Sequence, residues 1–433
     1  MKWRVLLVSL LMVFSALANA QVRLEVTRGK DDPTPIAIVP FEWVGPRLPE
    51  DVPAIVRADM HRSGQFEPIE PRDMLSSPRR ANEVVYRDWR AIKAEYLVIG
   101  RMAPQGAGVG FQYELFDVLG QRLIMTGSDM AASNAQLRDV AHRISDRIYE
   151  KITGIRGAFS TKLLYVSQVP RPSKKGGQYT YRIMLSDIDG ARERVVRESR
   201  LPLGNPSWSP SGDSIVYVSF ETRRPGIYLQ NLRTGRREQL TKFKGLNSSP
   251  SFSPDGRRVA MVLSKDGNPD IYVMDIASRQ LTRVTNHFAI DTEPSWMPDG
   301  RSILFTSDRG GRPQVYKVTL GANYTERMTF EGDYNARPRV LPDGSGFVFV
   351  HRNRGAYNIA LHHFRNNRLE ILTRTQMDES PSIAPNGTML VYATIAGRRS
   401  TLAAVSVDGG VKYQIPTVSG EVRMPAWSPF PPK

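Results

Sequence analysis

From residue 206 to its end the chain repeats one short pattern at a nearly constant interval, and few architectures satisfy that. The unit is Pro, any residue, an apolar residue, any residue, Pro, a polar residue and Gly. Its copies read Pro206-Ser-Trp-Ser-Pro-Ser-Gly212, Pro250-Ser-Phe-Ser-Pro-Asp-Gly256, Pro294-Ser-Trp-Met-Pro-Asp-Gly300, Pro338-Arg-Val-Leu-Pro-Asp-Gly344 and Pro381-Ser-Ile-Ala-Pro-Asn-Gly387, with a partial copy, Pro425-Ala-Trp-Ser-Pro429. Successive first prolines lie 44, 44, 44, 43 and 44 residues apart. A period in the low forties is that of a four-stranded propeller blade, and the Gly pairs supply the positive φ of a tight hairpin.

Each hairpin leads into a β-rich run: Ile215–Ser219, Val259–Ser264, Ile303–Ser307, Phe347–Val350 and Leu390–Ala393. Third strands follow, as in Ile227–Leu232, Ile271–Ile276 and Val315–Val318, and a fourth such as Gln280–Thr285 completes a blade. Five units are whole. The sixth is split, because the C-terminus supplies only a first strand, Pro425–Pro429. The missing strands lie upstream: Leu163–Ser167 resembles Ile215–Ser219, Arg182–Asp187 matches the third strand, and Val195–Arg200 serves as the fourth. Pairing the chain end with this region closes the ring and removes the open sheet edge. Six blades follow.

Residues 36–153 lack the repeat. Ile36–Val39, Tyr96–Met102, Gln112–Val118 and Arg122–Thr126 read as strands, and Glu50–Arg62 as a helix. Leu137–Ile152 carries Leu137, Val140, Ala141, Ile144, Ile148 and Ile152 on one helical face, with Gly154 as its stop. The fold class is thus α+β multidomain, an N-terminal α/β domain followed by a six-bladed β-propeller. The expected boundaries are a signal peptide over 1–20, an arm over 21–35, the α/β domain over 36–156 and the propeller over 157–433.

Lys2 and Arg4, the apolar run Val5–Phe14 and the small-x-small triplet Ala18-Asn19-Ala20 form a secretory signal, with cleavage expected between Ala20 and Gln21. That run is too short to span a bilayer. In the arm, Val22, Leu24 and Val26 alternate with Arg23, Glu25 and Thr27. Pattern alone favours a strand docked on the body over one offered to a partner's sheet edge.

The chain has no cysteine and a net charge of +16. Disulfides and thiolate chemistry are therefore excluded. Residues 21–157 carry 19 basic and 19 acidic side chains, whereas residues 158–433 carry 38 and 24, scattered over the repeats. That dispersal in an exported chain argues against nucleic acid and leaves an acidic protein, an anionic envelope surface or a merely solvated exterior.

No Gly-x-Ser-x-Gly nucleophile elbow occurs. Gly106-Ala-Gly-Val-Gly110 is followed by a strand rather than a helix and reads as a hairpin turn, not a phosphate loop. The six histidines form no zinc motif, and no acidic ladder surrounds the Asp-Gly turns. No catalytic residue, metal ligand or cofactor site is expected. What remains is a binding surface where the loops entering the first strands ring one mouth of the channel. Those loops hold Leu246, Asn247, Ser248 and Ser249, then Asp291, Thr292 and Glu293, Asn335, Asp378 and Glu379, and Glu421. They place carboxylates at a mouth in an otherwise basic domain.

Together these features resemble the TolB family, periplasmic components of the Tol-Pal system of Gram-negative envelopes. The resemblance covers nearly the whole mature chain. It rests on Gln21-Val-Arg-Leu-Glu25 running to Pro35-Ile-Ala-Ile-Val-Pro-Phe-Glu-Trp43, on Asn268–Asp275, on Thr292-Glu-Pro-Ser-Trp296, on Ser307–Lys317, and on the last two repeats. It implies a periplasmic, monomeric scaffold whose mouth binds the lipoprotein Pal, with Leu246, Ser249 and Thr292 in the contacting loops. It also implies that TolA binds the mature N-terminus, Gln21, Val22, Arg23, Leu24, Glu25, Val26, Thr27 and Arg28 included, which favours a mobile arm. Support of outer-membrane integrity and of constriction at division follows from the same resemblance. The rivals are an extracytoplasmic propeller enzyme with a channel active site and an outer-membrane assembly scaffold.

Overall fold

The computed structural model describes residues 32–172, 177–322, 324–353, 355–417 and 420–432. The signal segment and nearly all of the arm lie outside these. Chain order in the N-terminal part is β1 (Thr34–Ile38), β2 (Glu42–Trp43), α1 (Val52–Arg62), β3 (Phe66–Ile69), α2 (Tyr86–Ala91), β4 (Tyr96–Gln105), β5 (Gly108–Asp117), β6 (Arg122–Ala131) and α3 (Leu137–Thr153). The sheet runs β3-β1-β4-β5-β6, with β1 parallel to both neighbours and β4 to β6 a meander.

Strand β1 is buried on both faces, so it reads as an apolar run rather than an alternation. Ile36 and Ile38 join the core under α1 and α3, while Ala37 and Val39 pack toward Trp89 of α2. Helix α1 starts where Asp51 Oδ1 accepts the amide of Ala54 at 3.0 Å, a side-chain N-cap. Helix α3 buries Leu137, Val140, Ala141, Ile144 and Ile148 and ends at Gly154 in the left-handed region, as its apolar stripe requires. Gly106 turns β4 into β5, the hairpin expected of the glycine cluster.

Six four-stranded sheets follow, each with its first strand innermost. The innermost strands are Leu203–Trp208, Asn247–Phe252, Asp291–Trp296, Tyr334–Val340, Glu379–Ile383 and Glu421–Trp427, in blades 1 to 6. Blade 6 pairs Glu421–Trp427 with Lys162–Pro170, then Tyr179–Asp187 and Arg194–Ser199, the expected closure. Second strands are buried on both faces. Val216 and Val218 of blade 1 meet Val259, Met261 and Leu263 of blade 2, while Ile215 and Tyr217 meet Leu164 and Ile183 of blade 6.

The repeat motif is an instruction for joining blades. Its second proline packs on the hairpin glycine of the next blade: a Cβ built on Gly256 would lie 3.4 Å from the ring of Pro210. The same contact closes the ring, where a Cβ on Gly212 would lie 3.4 Å from Pro429. The bulky residue reaches back. Trp208 Nε1 donates to the Ala426 carbonyl at 2.9 Å, and Trp296 Nε1 to that of Ser251 at 3.0 Å. Trp427 instead donates to Thr161 Oγ1 at 2.7 Å.

The N-terminal part sits on the face of the propeller that carries these hairpins. Asn386 Nδ2, in the blade 5 hairpin, donates to the Arg156 carbonyl at 3.0 Å, and the Arg156 guanidinium lies 3.9 Å from the Phe430 ring centre. The opposite face, where the loops enter the innermost strands, is not covered by the described residues of the N-terminal part.

Candidate functional site at the open mouth and channel

The residue before the first proline of every repeat has a positive φ. These are Asn205, Ser249, Glu293, Arg337, Ser380 and Met424, with φ between 48° and 58°. At each one the pairing of first and second strand slips by a residue. Proline has no N–H to give the ladder, and the bulge turns the preceding side chain toward the axis. A non-glycine residue in this region costs about 1 kcal/mol, so six such positions in one ring mark a feature imposed by closure. Spacing reasoning missed it, although the proline itself was the signal.

This ring lines a cavity of about 370 Å³ along the channel. Its members bond to one another around the axis. Asn205 Nδ2 donates to Ser249 Oγ at 3.0 Å, Arg337 Nε to Glu293 Oε1 at 2.9 Å, and Arg337 Nη1 to Ser380 Oγ. Glu293 also accepts Thr306 Oγ1 at 2.8 Å and the Arg337 amide at 2.9 Å. Burial would lower the pKa of Arg337, but Glu293 and Glu379 carry it above its ordinary value.

Four of the residues expected at the mouth are fully buried: Asn247, Asp291, Asn335 and Asp378. Each stands three positions before a repeat proline and fastens the entering loop from within. Asn247 Nδ2 donates to the carbonyls of Phe243 and Gly245 at 2.8 and 3.2 Å. Asp291 holds Arg309 through both oxygens, at 3.0 and 2.8 Å. Asn335 Nδ2 donates to Gln314 Oε1 at 2.7 Å, and Asp378 accepts the hydroxyls of Thr373, Thr375 and Thr394. Leu246, Ser248, Ser249, Thr292, Glu293, Glu379 and Glu421 are half-buried.

Four of the five carboxylates expected at the mouth lie beside an arginine. Asp291 faces Arg309 and Glu293 faces Arg337; Arg337 Nη1 also lies 3.8 Å from Glu379, and Glu421 lies 3.0 Å from Arg423. Asp291, Glu293 and Glu379 are paired by arginines distant in sequence and Glu421 by one two residues away, while Asp378 is held by threonine hydroxyls. The mouth also exposes apolar groups: Phe288 at 86%, Phe330 at 72%, and Ile290, Met377 and Ile395 at about half. All but Ile395, which ends the second strand of blade 5, come from loops that enter the innermost strands. Large apolar side chains in loops that otherwise read as polar were the available signal. Exposed patches of this kind are uncommon on surfaces without a partner. A cleft of about 340 Å³ beside them is lined by Tyr334, Tyr357, Met377, Glu379, Ile395 and Arg423.

On the capped side, α1 and α3 meet blade 6 through ion pairs. Arg192 binds Asp139 and Asp187, Lys162 Nζ lies 2.7 Å from Asp187, and Arg138 binds Asp189. His142 Nδ1 lies 2.8 Å from Asp59, whose other oxygen meets Arg62. His142, Asp187 and Asp189 are close enough to share a cation. Arg62, Arg138, Arg192 and Lys162 already supply that charge, so the cluster is an interdomain ion network. The histidine arithmetic of the sequence did not anticipate it, because its acidic partners lie on other elements.

Architecture and site define a class: an α/β domain seated on one end of a six-bladed propeller whose other end the described residues leave open. A family model described as the TolB beta propeller domain matches residues 149–431, and one described as the TolB amino-terminal domain matches residues 22–124. The chain is 56% identical over 431 residues to a Tol-Pal system protein TolB of Pseudomonas syringae pv. tomato, covering 99% of each. It is 53% identical over 423 residues to that of Pseudomonas aeruginosa, covering 97% of each. The crystal structure of TolB from Acinetobacter baumannii superposes with a TM-score of 0.86 at 40% identity, covering 95% of this chain and 100% of that one. The chain belongs to the TolB family of Tol-Pal system proteins. No helix among the described residues is long and apolar enough to cross a membrane.

Proposed function

We propose that this chain is a periplasmic, non-enzymatic scaffold that takes Pal on the open propeller mouth and TolA on the mature N-terminal segment. In that role it supports outer-membrane integrity and constriction during division. The observation that carries the reading is the uncovered face with Phe288, Ile290, Phe330, Met377 and Ile395 exposed around a channel entrance. Such anchors, rimmed by paired charges, suit a protein partner. Leu246, Ser248, Ser249, Thr292, Glu379 and Glu421 form the half-buried rim. The channel speaks against catalysis: Glu293 is the one carboxylate among its described lining residues, no histidine joins it, and Arg337 and Thr306 occupy it.

The test is calorimetric binding of the purified Pal and TolA domains from the same organism to three forms of the chain. These are the mature chain, a form lacking residues 21–32, and Phe288→Ser/Phe330→Ser. The expected result is TolA binding lost only by the truncation, and Pal binding weakened at least tenfold only by the mouth variant. Undiminished Pal binding by the mouth variant would remove the assigned surface, and no binding of either domain would remove the function.

A further inference from the structure

Two residues beyond each left-handed position the channel carries a second ring: Ser207, Ser251, Ser295, Arg339, Ser382 and Ala426. Four blades present a hydroxyl and one a methyl; blade 4 alone presents a charge. From this juxtaposition we propose that the channel binds one oxyanion, held by the Arg339 guanidinium and by neighbouring serine hydroxyls.

The case rests on charge accounting. Glu293 and Arg337 cancel in the first ring, which leaves Arg339 as the net charge of the cavity lining. Among the described residues Arg339 makes no ion pair; its Nη1 donates at 2.8 Å to the Pro338 carbonyl, and its other N–H groups have no acceptor. Arg339 is half-buried in the cavity wall, and burial, with the nearby Arg337, lowers its pKa while Glu293 compensates only in part. A guanidinium in such a position gains from a charged acceptor that its planar fork can grip. Donors are at hand on the flanking blades: Ser295 Oγ accepts the Val340 amide at 3.4 Å and Ser382 Oγ the Trp427 amide at 2.9 Å, and each keeps its own O–H to donate, while the Ser207 and Ser251 hydroxyls further round the ring bond to no described residue. A cavity of about 370 Å³ holds a phosphate or carboxylate group with its waters.

The experiment titrates inorganic phosphate into the full mature chain in low-salt buffer and compares Arg339→Gln and Arg279→Gln. Arg279 pairs with Glu238 on the outside of the propeller and controls for loss of general positive charge. Saturable one-to-one binding by the native chain and by Arg279→Gln, weakened at least tenfold in Arg339→Gln, is the expected result. Phosphate should also raise the melting temperature of the native chain but not of Arg339→Gln, which reports on the site even if the variant's basal stability changes. Equal binding by all three forms, or weak binding that never saturates, overturns the proposal. An acetate arm separates the sources: competition by acetate assigns the site to carboxylates such as an inserted acidic side chain, and its failure assigns it to phosphate.

Discussion

Asp146 shows how one side chain can govern a junction. It lies on α3, accepts the amides of Phe159 and Ser160 at 2.7 and 3.2 Å and the Ser160 hydroxyl, and so ties the helix to the segment entering the propeller. Burial pushes its pKa up to about 6, against the lowering effect of those hydrogen bonds. Between the ordinary carboxylate value and that figure, the folded chain keeps a proton that the unfolded chain has released. Stability therefore falls as pH rises through this window, by about 3 kcal/mol at most. Asp146→Asn should lose that slope, so the melting temperature of the native chain relative to the variant should decline between pH 4 and pH 6. A constant difference would show that Asp146 ionises normally.

At the scale of elements, the C-terminal strand Glu421–Trp427 is decisive because it completes a sheet whose other strands lie far upstream in sequence. Trp427 is buried and packs with Leu163, Tyr165 and Val391, joining blades 5 and 6. Trp427→Ala removes that volume and its bond to Thr161, and should cost about 3–5 kcal/mol, read as a lowered urea midpoint. A shift under about 1 kcal/mol would mean that closure is held elsewhere. The shorter elements were the ones illegible in sequence. Strand β3 contains Pro68, which is tolerated because β3 is an edge strand. Helix α2 has six residues and no side-chain cap, so its existence depends on burying Trp89. Strand β4 runs past Pro104 because no strand pairs with that end on its outer side.

For the whole molecule, the ion network around His142 sets how firmly the α/β domain holds the propeller. Burial would lower the His142 pKa, but Asp59, with Asp189 and Asp187 beyond it, raises it above the ordinary value. A raised folded pKa means that the stabilisation is complete below the unfolded value and is lost as pH rises through the folded one. Hydrogen exchange of α3 amides, corrected for intrinsic rates, should accelerate from pH 6 to pH 9 in the native chain. In His142→Gln it should be fast at both. Equal exchange in the two forms at pH 6 would rule out His142 as the latch.

What the sequence determined by itself was the number of blades, their pairing and the split sixth, because a fixed period and local turn chemistry write themselves directly into residue spacing. It also determined the amphipathic stripe of α3 and the cap at Gly154. What only the tertiary structure decided was the character of the site. Asp291 and Arg309 are separated along the chain yet cancel each other, and Asn247, Asp291, Asn335 and Asp378 are buried although they stand where loops enter the innermost strands. Phe288 and Phe330 stay exposed in the folded chain although both are large and apolar. Charge compensation and exposure depend on which distant segments meet, and that is fixed by closure of the ring.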